Sequence, residues 1–213
     1  MPTTQCSIVV LISGNGTNLL ALIEASVTSN FKISAVISNN PEAFGLQRAE
    51  RDNIPTLTID HHDYSSREQF DLALIEAIDK INPGLIVLAG FMRILSEKFV
   101  QHYRGRILNI HPSLLPKYMG TNTHQRVLAA GETEHGVSIH FVTEELDGGP
   151  VIAQTTVPVY AADTPEELAA RVAVKEHSLY PRVVSWFAND RLHMQDNHAY
   201  LDQEKLPPTG VEI

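Results

Sequence analysis

Asn109, His111 and Asp147 are the residues of this sequence best suited to chemistry at a carbonyl. An amide and an imidazole can donate hydrogen bonds to an oxygen that gains negative charge. A carboxylate beside the imidazole can orient it and move a proton. Asn109 and His111 follow the apolar approach Ile107-Leu108 and precede Pro112, which disfavours continuing a central strand. Being two apart in extended chain, both leave the same face. Further on, Gly136 to Val142 reads as another strand, running into a polar loop that ends Asp147-Gly148-Gly149-Pro150. Glycines that tolerate positive φ and a proline that fixes φ predict a tight bend presenting Asp147 beside a neighbouring strand end. Taken singly, Asn109 reads as a turn cap, His111 as a bonded buried residue and Asp147 as an Asx-turn residue. Taken together, three polar groups just past apolar strands mark the place where open α/β sheets bind ligands.

The elements that must position these residues alternate between strand and helix. Ser7 to Ile12 reads as a buried strand, followed by Ser13-Gly14-Asn15-Gly16-Thr17-Asn18 and the helical pattern Leu19-Leu20-Leu22-Ile23. Backbone N–H groups at such a turn, with the positive end of the helix dipole, suit a phosphate; a plain helix N-cap is the competing reading. Leu19 stands where a dinucleotide fingerprint needs its third glycine, and the second strand, Ile33 to Ser38, ends in Asn39-Asn40 rather than an acid. A nicotinamide cofactor is therefore disfavoured. A helix over 43–52 and a strand over 56–59 follow. His61-His62-Asp63 invites a metal, but consecutive loop residues are expected to point apart, so no metal site is expected there.

Ser65 or Ser66 opens the next helix, with Phe70, Leu74 and Ile78 as its buried stripe and Arg67 in its first turn. Gly84 to Ala89 reads as the fourth strand. The segment Gly90-Phe91-Met92-Arg93-Ile94-Leu95 then surrounds one arginine with apolar groups, which fits either a flat acidic ligand or simple helix docking. After a strand over 151–157, Thr164-Pro165-Glu166-Glu167 forms a capping box opening a helix that runs to about Phe187. Its apolar stripe, Leu168, Val172, Leu179 and Val183, also carries Glu176, a carboxylate that needs a partner. The tail, 190–213, reads as a surface extension with a short hairpin.

Composition bounds the classes of function. The chain has 213 residues, 43% hydrophobic residues and a formal charge of −9. That suits one domain of α/β class and argues against general binding to nucleic acid or anionic membrane. The single cysteine, Cys6, excludes an internal disulfide and is expected to be a buried small hydrophobe. No secretory segment and no membrane-length apolar run is present, so a cytoplasmic location is expected.

The segments VVLISGNGTNL, VLAGFMRIL, LNIHPSLLPKYMG, HGVSIHFVTEELDGGPVI and KEHSLYP together resemble the phosphoribosylglycinamide formyltransferase family. The resemblance covers nearly the whole chain. It implies a single-domain, Rossmann-like open twisted sheet, mostly parallel with antiparallel C-terminal strands and helices on both faces. It further implies a phosphate-binding half over about 1–105, a catalytic and folate-binding half over about 106–188, and an extension over 189–213. The implied activity is formyl transfer from 10-formyltetrahydrofolate, as co-substrate, to glycinamide ribonucleotide, by a monomer or homodimer needing no metal and no NAD. The implied catalytic trio is Asn109, His111 and Asp147. Gly16, Thr17, Asn18, Pro112 and Glu176 match the ribonucleotide site. Arg67, Met92, Arg93, Ile94, Leu95, Val100 and Asn109, with Val142, Thr143, Glu144, Glu145 and Leu146, match the folate pocket. Ser138, His140, Gly120 and His124 match supporting positions. Ala173 departs from the family pattern, which has a longer polar side chain there, and Lys175 is the candidate replacement.

Three other functions compete. A formyltetrahydrofolate hydrolase could use the same trio with water in place of the amine, but such relatives carry an extra N-terminal domain. An aminoacyl-tRNA formyltransferase wants a basic C-terminal domain. A non-catalytic folate or nucleotide binding module would not need all three polar groups.

Overall fold

The computed structural model describes residues 5–213; the N-terminal reading falls partly on residues 1–4, outside that range. The chain falls into two compact units, Met1–Leu108 and Asn109–Ile213.

The first unit contains β1 (Cys6–Ile12), α1 (Thr17–Ser26), β2 (Phe31–Ser38), α2 (Phe44–Arg51), β3 (Thr56–Thr58), a 3-10 turn (His61–Asp63), α3 (Arg67–Ile81), β4 (Leu85–Leu88) and α4 (Glu97–His102). Its strands lie in the order β4-β1-β2-β3, and each pairing is parallel. Ile8 through Ile12 are fully buried, which is why β1 reads as a continuous apolar run rather than an alternating one. Ser66 caps α3 by accepting the Gln69 amide at 3.3 Å. The stripe Phe70, Leu74 and Ile78 is buried as the spacing predicts. Asn82, in the left-handed region at φ 50°, ends the helix.

The second unit takes in most of β5 (Ile107–His111), then α5 (Thr123–Ala130), β6 (Glu134–Phe141), β7 (Val151–Pro158), α6 (Pro165–Ala188), β8 (Leu192–Gln195), β9 (His198–Leu201), β10 (Glu204–Lys205) and β11 (Val211–Glu212). The strand order is β5-β6-β7-β11, with β6 and β7 antiparallel. The capping box is complete: Thr164 Oγ1 accepts the Glu167 amide at 3.2 Å and Glu167 Oε2 accepts the Thr164 amide at 2.9 Å. Leu168, Val172, Leu179 and Val183 are buried, each contributing roughly 1.5–3 kcal/mol relative to exposure.

Two expectations need correction. The tail is more than a hairpin. β8, β9 and β10 form a separate antiparallel sheet, and β11 pairs in parallel with β7, Val211 opposite Ala153. Gly210 (φ +69°) makes that docking possible, since a Cβ there would sit 2.4 Å from the Ile152 carbonyl carbon. Cys6 is only half-buried, because it stands at the first residue of its strand, where the packing layers are not yet closed.

Candidate active site

Of the predicted residues, the second unit brings the amide, imidazole and carboxylate together. His111, 5% exposed, has its Nδ1 3.5 Å from Asp147 Oδ2. Its Nε2–H donates to the Tyr118 carbonyl at 2.9 Å. The same Asp147 oxygen accepts the Gly120 amide at 2.8 Å, so one backbone donor and one imidazole fix the carboxylate. Its other oxygen lies 3.9 Å from His140 Nε2.

His140 determines how Asn109 points. His140 Nδ1 is 2.9 Å from the Phe141 carbonyl, and a carbonyl can only accept, so Nδ1 carries the proton and Nε2 offers its lone pair. Asn109 Nδ2 lies 3.1 Å from that Nε2 and donates to it. One amide hydrogen of Asn109 is thereby committed, and the other remains for a ligand. Burial, which strips water from the charged form, pushes the His140 pKa down to about 4, against opposing pulls from the Phe141 bond and the Asp147 charge. His140 is thus neutral at physiological pH, as this bonding pattern requires.

The bend that carries Asp147 forms for a different reason than its glycines suggest. Gly148 and Gly149 are not in the positive-φ region; Asp147 itself is, at φ 50°. Gly149 is required by space: a Cβ there would lie 1.8 Å from the Phe141 carbonyl oxygen, whereas one on Gly148 would meet only the exposed Glu145 side chain, at 2.5 Å, which can swing aside. Asp147 tolerates the left-handed conformation as aspartate does.

The loop after His111 is pinned from below. Ser138 Oγ donates to the Ser113 carbonyl at 2.6 Å and accepts the Leu115 amide at 3.0 Å. Gln154 Nε2 donates to the Leu115 carbonyl and to Ser138 Oγ, both at 2.8 Å. Gln154 escaped the sequence reading, and its one signal was a long amide inside an otherwise apolar buried strand. His124 Nδ1 meets His135 Nε2 at 3.0 Å, and burial lowers both pKa values, that of His135 to about 4. Pro112 follows β5 directly, half-buried, and Glu176 is half-buried on α6 beside exposed Lys175. A cavity of about 820 Å³ lies against Asp147, Gly149, Leu115 and the tail residues Lys205 to Pro208. Of the loop expected to hold folate, Val142 and Thr143 are half-buried, Glu144 and Glu145 are exposed, and Leu146 is 51% exposed.

The first unit holds the other predicted residues. Gly16 stands at the N-cap of α1 with φ 71° and no side-chain cap. A Cβ there would come 2.7 Å from Gly45 Cα, so both conformation and close approach require glycine. Ser13, Gly14, Asn15, Gly16, Thr17 and Asn18 line a cavity of about 240 Å³ together with Ala89, Gly90 and Met92. Arg48, which the sequence reading missed, grips the turn through the Asn15 carbonyl at 2.9 Å and Asn15 Oδ1 at 3.2 Å. It adds a positive charge where an anion is expected. Met92 and Ile94 are 74% and 57% exposed; Arg93 is exposed, Leu95 half-buried and Val100 buried in α4. Arg67, the first residue of α3, lies 3.5 Å from exposed Glu68.

Asp60, His61 and His62 place three ligand-type atoms within 4.8 Å of one another, so consecutive residues here do not point apart. The 3-10 turn is the reason: Asp60 caps it, accepting the His62 amide at 3.0 Å and facing His62 Nδ1 at 2.8 Å. His61 Nδ1 is engaged by the Asn39 carbonyl at 3.0 Å. These nitrogens are committed to protein partners.

A mostly parallel α/β sheet carrying an interlocked amide, imidazole and carboxylate at strand ends is the arrangement of an enzyme working at an acyl carbon. The chain belongs to the formyl transferase family, whose model matches residues 6–184. It is 56% identical to the phosphoribosylglycinamide formyltransferase of Escherichia coli, over 96% of this chain and 97% of that one. It is 47% identical to the enzyme of the same name from Haemophilus influenzae, over 95% and 97%. Among solved structures, the phosphoribosylglycinamide formyltransferase of Coxiella burnetii superimposes with a TM-score of 0.94 at 53% identity, covering 98% of this chain and 99% of that one. No helix among the described residues is long and apolar enough to cross a membrane.

Proposed function

We propose that this chain transfers the formyl group of 10-formyltetrahydrofolate to the amine of glycinamide ribonucleotide. The observation that carries this reading is the pairing of His111 with Asp147 at 3.5 Å next to an Asn109 amide whose orientation His140 sets at 3.1 Å. Family membership and full-length likeness to phosphoribosylglycinamide formyltransferases support it.

The amine nitrogen attacks the formyl carbon, forming a C–N bond and placing charge on the formyl oxygen. The remaining N–H of Asn109 donates to that oxyanion. His111 joins it once Nε2–H exchanges the Tyr118 carbonyl for the substrate oxygen. Losing one such donor typically costs about 10²–10³ in rate. Asp147, directly or through a water, takes the proton from the attacking amine and passes it to the folate nitrogen as the carbon–nitrogen bond to folate breaks. Neither a metal nor a covalent enzyme intermediate is needed for this sequence of steps.

The turn over Gly16, Thr17 and Asn18 takes the ribonucleotide phosphate on uncapped helix amides, with Pro112 and Glu176 meeting the rest of the ribonucleotide and Glu176 its hydroxyls. Met92, Arg93, Ile94, Leu95 and Val100, with residues 142–146, receive the folate, and Arg67 and Arg93 meet its glutamate. Mixing both substrates and following tetrahydrofolate formation by ultraviolet absorbance tests the reading. Formate released at the same rate without the ribonucleotide would show a hydrolase instead.

A further inference from the structure

α2 touches the glycine turn at three successive residues. The Gly45 amide donates to the Gly14 carbonyl at 3.0 Å, and Arg48 Nε–H donates to the Asn15 carbonyl at 2.9 Å. Gly45 also packs so close to Gly16 that a Cβ on Gly16 would lie 2.7 Å from Gly45 Cα. Across a trans peptide the carbonyl and the following N–H point in opposite directions. With the Gly14 and Asn15 carbonyls drawn to α2, the Asn15 and Gly16 amides face away from it. The cavity of about 240 Å³ is lined by Ser13 to Asn18, Ala89, Gly90 and Met92 and by no residue of α2, so it lies on the side these amides face. Ser13 offers no donor there. Its amide donates to the Gly90 carbonyl at 3.1 Å, and its Oγ accepts the Met92 amide at 2.7 Å and donates to Asn39 Oδ1 at 2.5 Å. Donors toward the cavity begin at Asn15.

The Asn15 side chain follows the same logic. Arg48 Nη2 lies 3.2 Å from the end of that side chain. A guanidinium N–H only donates, so the atom it meets is the oxygen, Oδ1. The guanidinium carbon stands 4.9 Å above the centre of the Phe44 ring, which holds the plane of the fork. One planar group thus takes both oxygens of Asn15, main-chain and side-chain. What remains is the side-chain nitrogen, whose two hydrogens are turned away from Arg48. Asn15 is exposed and lines the cavity.

We infer that Asn15 Nδ2 is a further donor to the ribonucleotide phosphate and that Arg48 is the positioning residue that aims it. The inference rests on the functional reading above, in which the turn takes that phosphate. It adds a side-chain donor to the main-chain amides. It also gives Arg48 a role that a two-pronged planar fork performs and the point charge of a lysine does not.

The test is the preference for glycinamide ribonucleotide over the phosphate-free glycinamide riboside, taken as the ratio of their kcat/KM values with 10-formyltetrahydrofolate. A general folding defect lowers both values and leaves their ratio alone. Asn15→Ala should lower the ratio about tenfold or more, as expected for losing a hydrogen bond to a charged group. Asn15→Asp, nearly the same in shape, should lower it further, because a carboxylate then faces the phosphate. Arg48→Lys keeps the charge without the fork and should lower the ratio several-fold. The loss should be smaller once Asn15 is alanine, since only the carbonyl is then left to hold. An unchanged ratio in Asn15→Ala, or in Asn15→Asp should the alanine variant not fold, overturns the inference alone. So does an unchanged ratio in Arg48→Lys, or a loss in Arg48→Lys that is undiminished when Asn15 is alanine. A wild-type ratio near one removes the phosphate from the turn and overturns the inference while formyl transfer stands. A wild type that formylates neither amine overturns the functional reading and this inference together.

Discussion

The trio around His111 and the turn around Gly16 solve the same problem, holding polar groups ready for a ligand, with opposite materials. In the second unit the donors and acceptors are side chains locked to each other and to backbone: Asn109 by His140, His111 and Asp147 by each other and by Tyr118 and Gly120. In the first unit the donors are chiefly main-chain amides, and side chains such as Ser13 and Arg48 hold the main chain in place, Arg48 adding its charge. The first kind of site is sensitive to the chemistry of a residue. The second is sensitive to its size and φ.

The largest effect should come from changing chemistry without changing shape. Asp147→Asn keeps the volume and an acceptor for the Gly120 amide but cannot take a proton. Single-turnover formyl transfer should fall by about 10²–10⁴ with circular dichroism unchanged. Near-wild-type transfer would remove Asp147 from proton relay and erase the contrast between the two sites.

Size comes next. Gly149→Ala places a Cβ 1.8 Å from the Phe141 carbonyl oxygen, so backbone must move, at about 1–3 kcal/mol of stability. Gly14→Ala meets nothing within 4 Å and should leave the thermal midpoint nearly unchanged. Equal midpoints for the two variants would show that the bend accommodates a side chain after all.

Asp71, whose Oδ2 accepts the Ser96 amide at 2.5 Å, is a clamp in which charge and shape can be separated. Burial raises its pKa, with the Ser96 bonds opposing. A carboxyl whose folded pKa is raised contributes stability that is present below the unfolded value of about 3.8 and lost as pH rises through the folded value. Asp71→Asn keeps the acceptor and drops the charge. Its stability relative to wild type should therefore improve as pH rises from 3 to 7, whereas Asp71→Ala should lose about 1 kcal/mol at neutral pH. Denaturant midpoints across that range decide it, and a wild type that gains on Asp71→Asn as pH rises would show that burial does not raise this carboxyl's pKa.

The smallest effect concerns His140. With its folded pKa lowered to about 4, it contributes stability present above the unfolded value near 6.5 and lost as pH falls through 4. His140→Gln should flatten the decline in thermal midpoint between pH 6.5 and 4. An unchanged slope would mean that the histidine is not held neutral by its site.

Legibility followed the same divide. Period and punctuation were enough for the strands up to β7, for the stripe Phe70, Leu74 and Ile78, and for the Thr164 capping box, because those signals are local. The convergence of His111 with Asp147 could be anticipated because both sit where apolar runs stop. For Ser13 and Asn39, which also sit where apolar runs stop, and for Asp71 in α3 and Gln154 in β7, sequence did not name the partner. Their partners lie far along the chain, and a polar residue has the same local appearance whether it faces water or fixes a neighbouring segment. The Asp147-Gly148-Gly149 bend was anticipated for the wrong reason, because sequence reports which residues tolerate positive φ and not which backbones pass close to one another.

The two-residue strand β11 has a consequence for how copies of this protein behave in company. It lies on the open side of β7, its register continued by Ile213 donating to the Gln154 carbonyl at 3.0 Å. β7 reads VIAQTTVP, an uncharged stretch rich in β-branched residues, the composition that favours pairing with strands of other molecules when left uncovered. The last few residues thus act as a stopper against self-association, and removing 209–213 should leave catalysis intact while lowering the concentration at which the protein aggregates.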